Sequence, residues 1–416
     1  MKSVTELSTH NNQPQLIPIF KKTERRLLSI FMCLLEMVPE YRGEFLKQCG
    51  YNSGKTCNYQ SFMEPNYKSS RLTKDEARPD GLLACTRGAT NWTAFIEAKA
   101  VNNPITSEQI KRYIDLAGVL EVDTIISISN KFANSPQELP YNLQKTRKNQ
   151  PNIVHFAWAE IRTSMELFLT NNNSCSSIEL VLIQQCLNYF WIKESGILTY
   201  DAMPADWKKF IESSSIGVGF KTNTAGVTEI VHGWQQECRD LTSKIMHLYN
   251  GDVSFIHDAG SRADQETRLD FERKKLAENY KLQAKFKFKD SKSEISVTAD
   301  LISRRISVAL EILPPQDKKA KATVNWVAAQ LKDSKLEASN ILFDWKRSKT
   351  NQIYKIAKIA EDVDIICDGQ KDAPKRIYIY HDIHDVRRFK SRKNFIIDLE
   401  NAVIFTLNHA MHAKLV

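Results

Sequence analysis

Residues Trp92 to Ala100 read Trp-Thr-Ala-Phe-Ile-Glu-Ala-Lys-Ala, and no other stretch restricts the fold so strongly. Side chains along an extended strand point alternately to its two faces. Ala94, Ile96, Ala98 and Ala100 therefore share a wholly apolar face, while Phe95, Glu97 and Lys99 share the other. A carboxylate and an ammonium stand side by side where a buried strand should be apolar, their Cα atoms about 7 Å apart. Upstream, Arg78-Pro79-Asp80-Gly81-Leu82-Leu83-Ala84-Cys85 reads as a second strand. Pro79 holds Arg78 extended and sits at the strand entry, where no amide donor is needed. The turn-forming Gly88-Ala89-Thr90-Asn91 between them predicts a hairpin that brings Asp80 alongside Glu97.

The flanking segments supply a frame for this hairpin. Thr23, a helix cap, and Glu24, an acid in the first turn, open a helix in which Leu27, Ile30, Phe31, Leu34, Leu35 and Val38 recur at helical spacing. A second helix is expected from about Glu40 to Cys49, ending at Gly50, and a strand from Thr56 to Met63. Past Asn102-Asn103-Pro104, Thr106 or Ser107 caps a helix running to about Leu120. The β-branched run within Asp123 to Ser129 is a buried strand, and Ile153 to Trp158 is another, followed by a helix from Ala159 to Leu169. Helix, three strands, helix, strand, loop, strand, helix makes an α/β mixed sheet flanked by helices.

The rest divides by composition. Residues 1–22 form a polar tail, 23–170 the domain above, 171–255 a helical connector entered through Asn171-Asn172-Asn173-Ser174, and 264–416 a second α+β domain. Gly251 to Ala263 marks a boundary before that domain. Lys285-Phe286-Lys287-Phe288-Lys289 fits either a helix or a strand with one lysine face, and Val363 to Cys367 reads as a short strand.

The apolar run from Leu27 to Val38 is interrupted by Glu36 and too short to span a bilayer, so no membrane partner and a cytoplasmic location are expected. Eight cysteines without a CxxC pair read as reduced, mostly buried thiols. A formal net charge of +9 favours an anionic partner, with nucleic acid the first candidate.

Two carboxylates meeting at a sheet surface form an oxygen-donor site for a hard divalent cation such as Mg2+, and the Ala98 carbonyl offers a further oxygen. A cation at Asp80 and Glu97 activates water and neutralises a phosphodiester, leaving Lys99 to orient that water or stabilise pentacovalent phosphorus. Gln109 and Tyr113 lie four apart on one helix face and can reach the same site. The competing reading of Glu97 and Lys99 is an exposed edge strand carrying an ordinary ion pair.

Pro79-Asp80 with Glu97-Ala98-Lys99 resembles the motif of the PD-(D/E)xK nuclease superfamily, and Gln109-Ile110-Lys111-Arg112-Tyr113 resembles the QxxxY element of its RecB-like members. The resemblance covers about Thr23 to Leu169. It implies a restriction-endonuclease-like core and Mg2+-dependent hydrolysis of DNA, with Mn2+ able to substitute and RNA kept open as a substrate. It also implies that Asp80, Glu97, Lys99, Gln109 and Tyr113 are catalytic, and that Glu24 supports the metal from the first helix. Members with such a core and an appended domain serve defence against foreign DNA, repair or mobile elements. The cysteine set of iron–sulfur members is missing here. The alternative function is a non-catalytic module that keeps the fold and binds nucleic acid or protein.

Other motifs lead elsewhere. Ser53-Gly54-Lys55-Thr56 lacks the glycine that a phosphate loop needs where Cys49 stands. His381-Asp382-Ile383-His384-Asp385 reads as a solvated loop rather than a metal site. Lys375, Arg376, Arg387, Arg388, Lys390, Arg392 and Lys393, interleaved with Tyr378, Tyr380 and Phe389, have the composition of a nucleic-acid surface or of a solvated basic face. The C-terminal domain is expected to bind DNA, a protein partner or a second copy of the chain. Trp326 and Trp345 belong to its core.

Overall fold

A computed structural model gives the fold. It describes residues 14–18, 20–53, 57–65, 78–88, 90–101, 103–133, 135–141, 143, 150–171, 175–214, 222, 224, 226–256, 265–289, 291, 293–332, 336, 339–346, 352–413 and 415. Gly54-Lys55-Thr56, the charged loop 71–77 and the linker residues 172–174 lie outside these. The chain divides into two units, Met1–Thr199 and Tyr200–Val416.

In the first unit the apolar repeat after Thr23 forms helix α1 (Thr23–Met37), with Leu27, Leu28, Phe31, Leu34 and Leu35 buried. Thr23 is the first helical residue rather than the cap. Lys22 occupies the cap position, no side chain caps the helix, and the Lys22 carbonyl accepts from the Arg26 N–H at 3.1 Å. The expected polar tail is tied down near its end. The Gln15 N–H donates to Ser29 Oγ at 2.6 Å, Ser29 Oγ donates back to the Gln15 carbonyl at 2.9 Å, and Leu16 and Phe20 pack on the core. Helix α2 (Pro39–Gln48) follows, and the chain turns at Gly50 with φ +86°.

Strands β1 (Asn58–Met63), β2 (Gly81–Arg87), β3 (Thr90–Ala98), β4 (Thr124–Ser129) and β5 (Asn152–Ala157) form one sheet in that spatial order. The pairs β1–β2 and β2–β3 are antiparallel, whereas β3–β4 and β4–β5 are parallel. A parallel pair needs a crossover, which helix α3 (Ser107–Leu120) supplies, capped as expected by Thr106, whose Oγ1 accepts from the Gln109 N–H at 3.2 Å. Helices α4 (Trp158–Asn171) and α5 (Ser177–Trp191) complete the unit. The expected mixed sheet flanked by helices is therefore present.

Strand β3 is central, not an edge, and both its faces are also covered. Ala94, Ile96, Ala98 and Ala100 pack into a core with α1, α2, α4 and α5, and Phe95 packs on the opposite side with Ile110, Tyr113 and Ala117 of α3. All eight cysteines are free thiols, six of them buried.

The helical connector expected over 171–255 is shared between the units. Amphipathic helices bury their apolar faces in the nearest core. Helix α5 places Ile183, Cys186, Leu187 and Phe190 in the first unit, whereas α6 (Trp207–Ser214) and α7 (Val227–Tyr249) place Trp207, Phe210, Ile230, Trp234 and Leu241 in the second. The boundary expected at 251–263 contains a strand, β6 (Val253–Phe255). Helix α8 (Gln265–Asn279) comes next and is followed by Tyr280, with φ +55°.

The second unit continues through β7 (Lys281–Phe288), β8 (Glu294–Asp300), β9 (Arg305–Ile312), α9 (Ala320–Leu331), β10 (Asn340–Asp344), β11 (Ile353–Lys355), α10 (Val363–Ile366), β12 (Arg376–Ile383), α11 (Val386–Lys390) and α12 (Arg392–His412). Its seven strands run in the order β11-β10-β12-β9-β8-β7-β6, every neighbour antiparallel. The lysine-rich run is a strand. Leu282, Ala284, Phe286 and Phe288 are buried, and Lys281, Gln283, Lys285 and Lys287 are exposed. The strand expected at Val363 to Cys367 is instead the short helix α10, because Ile366 is buried and Ile365 is 66% exposed, a pattern that strand alternation from Val363 does not give. Trp345 is buried and Trp326 packs against the same core. Among the described residues, no helix is long and apolar enough to cross a membrane.

Candidate active site

The β2–β3 hairpin pairs Gly81 with Ile96, so one residue further Asp80 comes opposite Glu97. Gly81 leaves room for the Met32 side chain. A Cβ there would lie 2.9 Å from Met32 Sδ and 3.4 Å from the Ile96 Cβ. Asp80 is fastened to β3, since its Oδ2 accepts the Ala98 N–H at 3.0 Å. Beyond the end of β3, the Lys99 N–H donates to the Ile128 carbonyl at 2.8 Å, and Trp158 Nε1 donates to the Lys99 carbonyl, also at 2.8 Å. The Lys99 backbone is thus held from both sides while its side chain forms an ion pair with Glu97 Oε1.

Helix α3 aims two donors at the same carboxylate. Gln109 Nε2 donates to Glu97 Oε1 at 2.6 Å, and the Tyr113 hydroxyl donates to Glu97 Oε2 at 2.5 Å. The Arg78 carbonyl lies 3.2 Å from the same hydroxyl, but the single phenolic proton goes to the nearer acceptor. Gln109 and Tyr113 therefore orient Glu97 directly from α3. The Ala98 N–H positions Asp80. Glu97 is 1% exposed and Tyr113 3%.

Burial governs the electrostatics. It lifts the Glu97 carboxyl to about 7, aided by the facing charge of Asp80 and opposed by Lys99 and Tyr113. Burial likewise raises Asp80, against the pull of the Ala98 N–H and Lys99. For Lys99, burial works to lower the pKa, but the charges of Glu97, Asp80 and Glu24 outweigh it and keep the ammonium protonated. Glu24, in the first turn of α1, stands near enough for its charge to act on both Asp80 and Lys99. The structure thus gathers all the expected residues, Asp80, Glu97, Lys99, Gln109, Tyr113 and Glu24, into one neighbourhood.

Two facing carboxylates, both raised by burial and Glu97 further by the charge of Asp80, are the donor chemistry of a hard divalent cation. Sequence reasoning did not identify Trp158 or the Arg78 carbonyl. A tryptophan directly after a buried strand was the available signal for the first, and a backbone oxygen has none.

The remaining motifs have structural partners. Asp385 caps α11, its Oδ1 accepting from the Arg387 and Arg388 N–H groups at 3.0 and 2.9 Å. His381 stacks on Phe405 and bonds Ser339 Oγ at 3.2 Å, and Asp382 accepts from the Ser307 hydroxyl. In the basic stretch, Arg376 pairs with Glu311, Arg388 with Asp398, Lys390 with Glu212 and Lys393 with Asp201. Four of the seven basic residues of the stretch thus have counter-ions within the unit.

No protein-family model, curated protein or solved structure matches the chain.

Proposed function

We propose that the chain is a metal-dependent nuclease that hydrolyses phosphodiester bonds of DNA. The observation that carries this reading is the convergence of Asp80, Glu97 and Lys99 at one end of the β2–β3 hairpin, with Gln109 and Tyr113 both bonded to the Glu97 carboxylate. The resemblance to PD-(D/E)xK nucleases rests on the same residues. Asp80 and Glu97 are the groups to hold Mg2+, or Mn2+ in its place, with Glu24 adding negative charge behind them. When bound there, the cation supplies a neutralising charge at the phosphodiester and lowers the pKa of adjacent water.

The other side chains have roles of their own. Lys99, kept protonated by its acidic neighbours, is a donor rather than a base. Its N–H groups orient the attacking water or stabilise charge on the non-bridging oxygens as it develops. Gln109 and Tyr113 hold Glu97 in one orientation, so the carboxylate pays little reorganisation when it takes up a cation. The second unit is assigned to binding DNA, a protein partner or another copy of the chain, and defence against foreign DNA or repair is the biological setting that fits.

A second reading has its own observation. Both oxygens of Glu97 are engaged by donors of the chain itself, as in a fold kept for binding alone. Linear and circular DNA and RNA, incubated with Mg2+ or Mn2+ and with chelator, beside Asp80→Ala and Lys99→Ala variants, separate the two. Metal-dependent cleavage lost in both variants supports the nuclease. Cleavage that survives both substitutions, or no cleavage of any substrate, refutes it.

A further inference from the structure

A second acidic cluster lies wholly within the C-terminal unit. Glu237, Asp240 and Lys244 fall at i, i+3 and i+7 on one face of α7, and Glu400 of α12 meets them. Glu237 and Asp240 are 0% exposed, and one carboxylate oxygen from each of Glu237, Asp240 and Glu400 lies within 4.8 Å of the other two. Lys244 Nζ stands 2.7 Å from Asp240 Oδ2 and 2.6 Å from Glu400 Oε1, and Asp240 Oδ2 also accepts the Tyr200 N–H at 3.1 Å. Neither oxygen of Glu237 has a hydrogen-bond partner among the described residues.

A buried carboxylate with two unengaged oxygens, set beside two more acids, is costly unless something meets it. Three carboxylates and one ammonium sum to −3 + 1 = −2, the charge that one divalent cation neutralises. Hard cations take oxygen ligands at about 2.0 to 2.6 Å, which spaces those oxygens up to roughly 5 Å apart, and the three oxygens here lie within 4.8 Å of one another.

We propose that Glu237, Asp240 and Glu400 hold one hard divalent cation, Mg2+, Mn2+ or Ca2+, that ties α7 to α12 inside the C-terminal unit. Its role is structural, because the donors are buried away from any substrate. The site is independent of Asp80 and Glu97, which belong to the other unit.

A proton on Glu237 would relieve the same charge, so the experiment must distinguish a cation from a proton. The full chain carrying Asp80→Asn and Glu97→Gln, which silence the first site, is stripped with chelator and titrated with Mn2+, free ion being read by electron paramagnetic resonance. The expected result is one Mn2+ bound per chain, displaced by excess Mg2+ or Ca2+, with affinity falling on the order of tenfold or more when Glu237→Gln is added. Glu400→Gln is the second variant, should the first disturb folding. No stoichiometric Mn2+ uptake in the silenced chain overturns the proposal, as does uptake that Glu237→Gln and Glu400→Gln both leave unchanged.

Discussion

Glu97→Gln in the metal-free protein probes the candidate site through stability, without any assumption about substrate. An unfolded glutamate loses its proton near 4.5, and the folded one near 7. Between those values the folded state binds more protons than the unfolded state, so this group makes stability fall as pH rises. At roughly 1.4 kcal/mol per pH unit the whole interval is worth about 3 kcal/mol, a ceiling because Asp80 shares the same proton equilibrium.

Gln has the same shape and accepts the Tyr113 hydrogen bond without titrating. Urea unfolding of both proteins in chelator, between pH about 5 and about 8, gives a stability difference at each pH. Relative to wild type, Glu97→Gln should gain up to about 3 kcal/mol over that range. Mg2+ added to the wild type should reduce its loss at high pH, because cation binding favours the ionised carboxylate. A stability difference that stays constant across the range would refute the argument that burial and Asp80 hold the Glu97 proton.

Two further outcomes follow from the first unit. His155, 1% exposed, bonds Ser127 Oγ at 2.9 Å and the Lys131 carbonyl at 2.7 Å, and burial drives its imidazole down to about 4. Its folded pKa lies below the ordinary value, so it contributes stability that is present above pH 6.5 and lost as pH falls toward 4, up to about 3 kcal/mol. This slope opposes that of Glu97, so His155→Gln should leave a protein whose stability falls with rising pH, measured by the same unfolding series. Gly196→Ala should cost on the order of 1 to 3 kcal/mol in the same assay at neutral pH. Its φ is +72° and a Cβ would lie 2.6 Å from Thr23 Cγ2, in the turn whose carbonyl accepts the Val101 N–H and Asn130 Nδ2. An unchanged midpoint in Gly196→Ala would refute the steric argument.

The fold of the first unit was legible wherever a single period dominated. The helical repeat from Leu27, the alternation through Ile96 and the β-branched run at Ile125 and Ile126 each predicted an element that is present. Signals that depend on a neighbour were harder to read. Thr23 reads as a cap, yet it is the first helical residue and the cap position one residue earlier, Lys22, has no side-chain cap, since a hydroxyl near a helix start identifies the region but not the boundary. Gln109 and Tyr113 were readable as one helix face, but only the crossover geometry shows that they bond Glu97 itself. Their donors could equally have faced outward. Glu237 and Asp240 carry no signal of a site in their own helix, because the acid that makes them a cluster, Glu400, comes from α12, far away in sequence. The Val363 to Cys367 run failed as a strand because β-branched content in so short a segment does not outweigh the burial of Ile366.

The pairing of Arg87 with Thr90 leaves only two residues at the tip of the β2–β3 hairpin. Such exposed tips are where proteins ordinarily accept insertions. Here the length of the tip sets which face of β3 carries Glu97. One added residue, if the two-residue turn is kept and the slip propagates along the strand, shifts the pairing by one position and exchanges the two faces, turning the carboxylate away from Asp80 while Ile96 takes its place. A turn eight residues from either acid in sequence is therefore under a length constraint as strict as the identity constraint on the acids. In an alignment of any relatives, gaps should be scarce at this tip even where its residues vary.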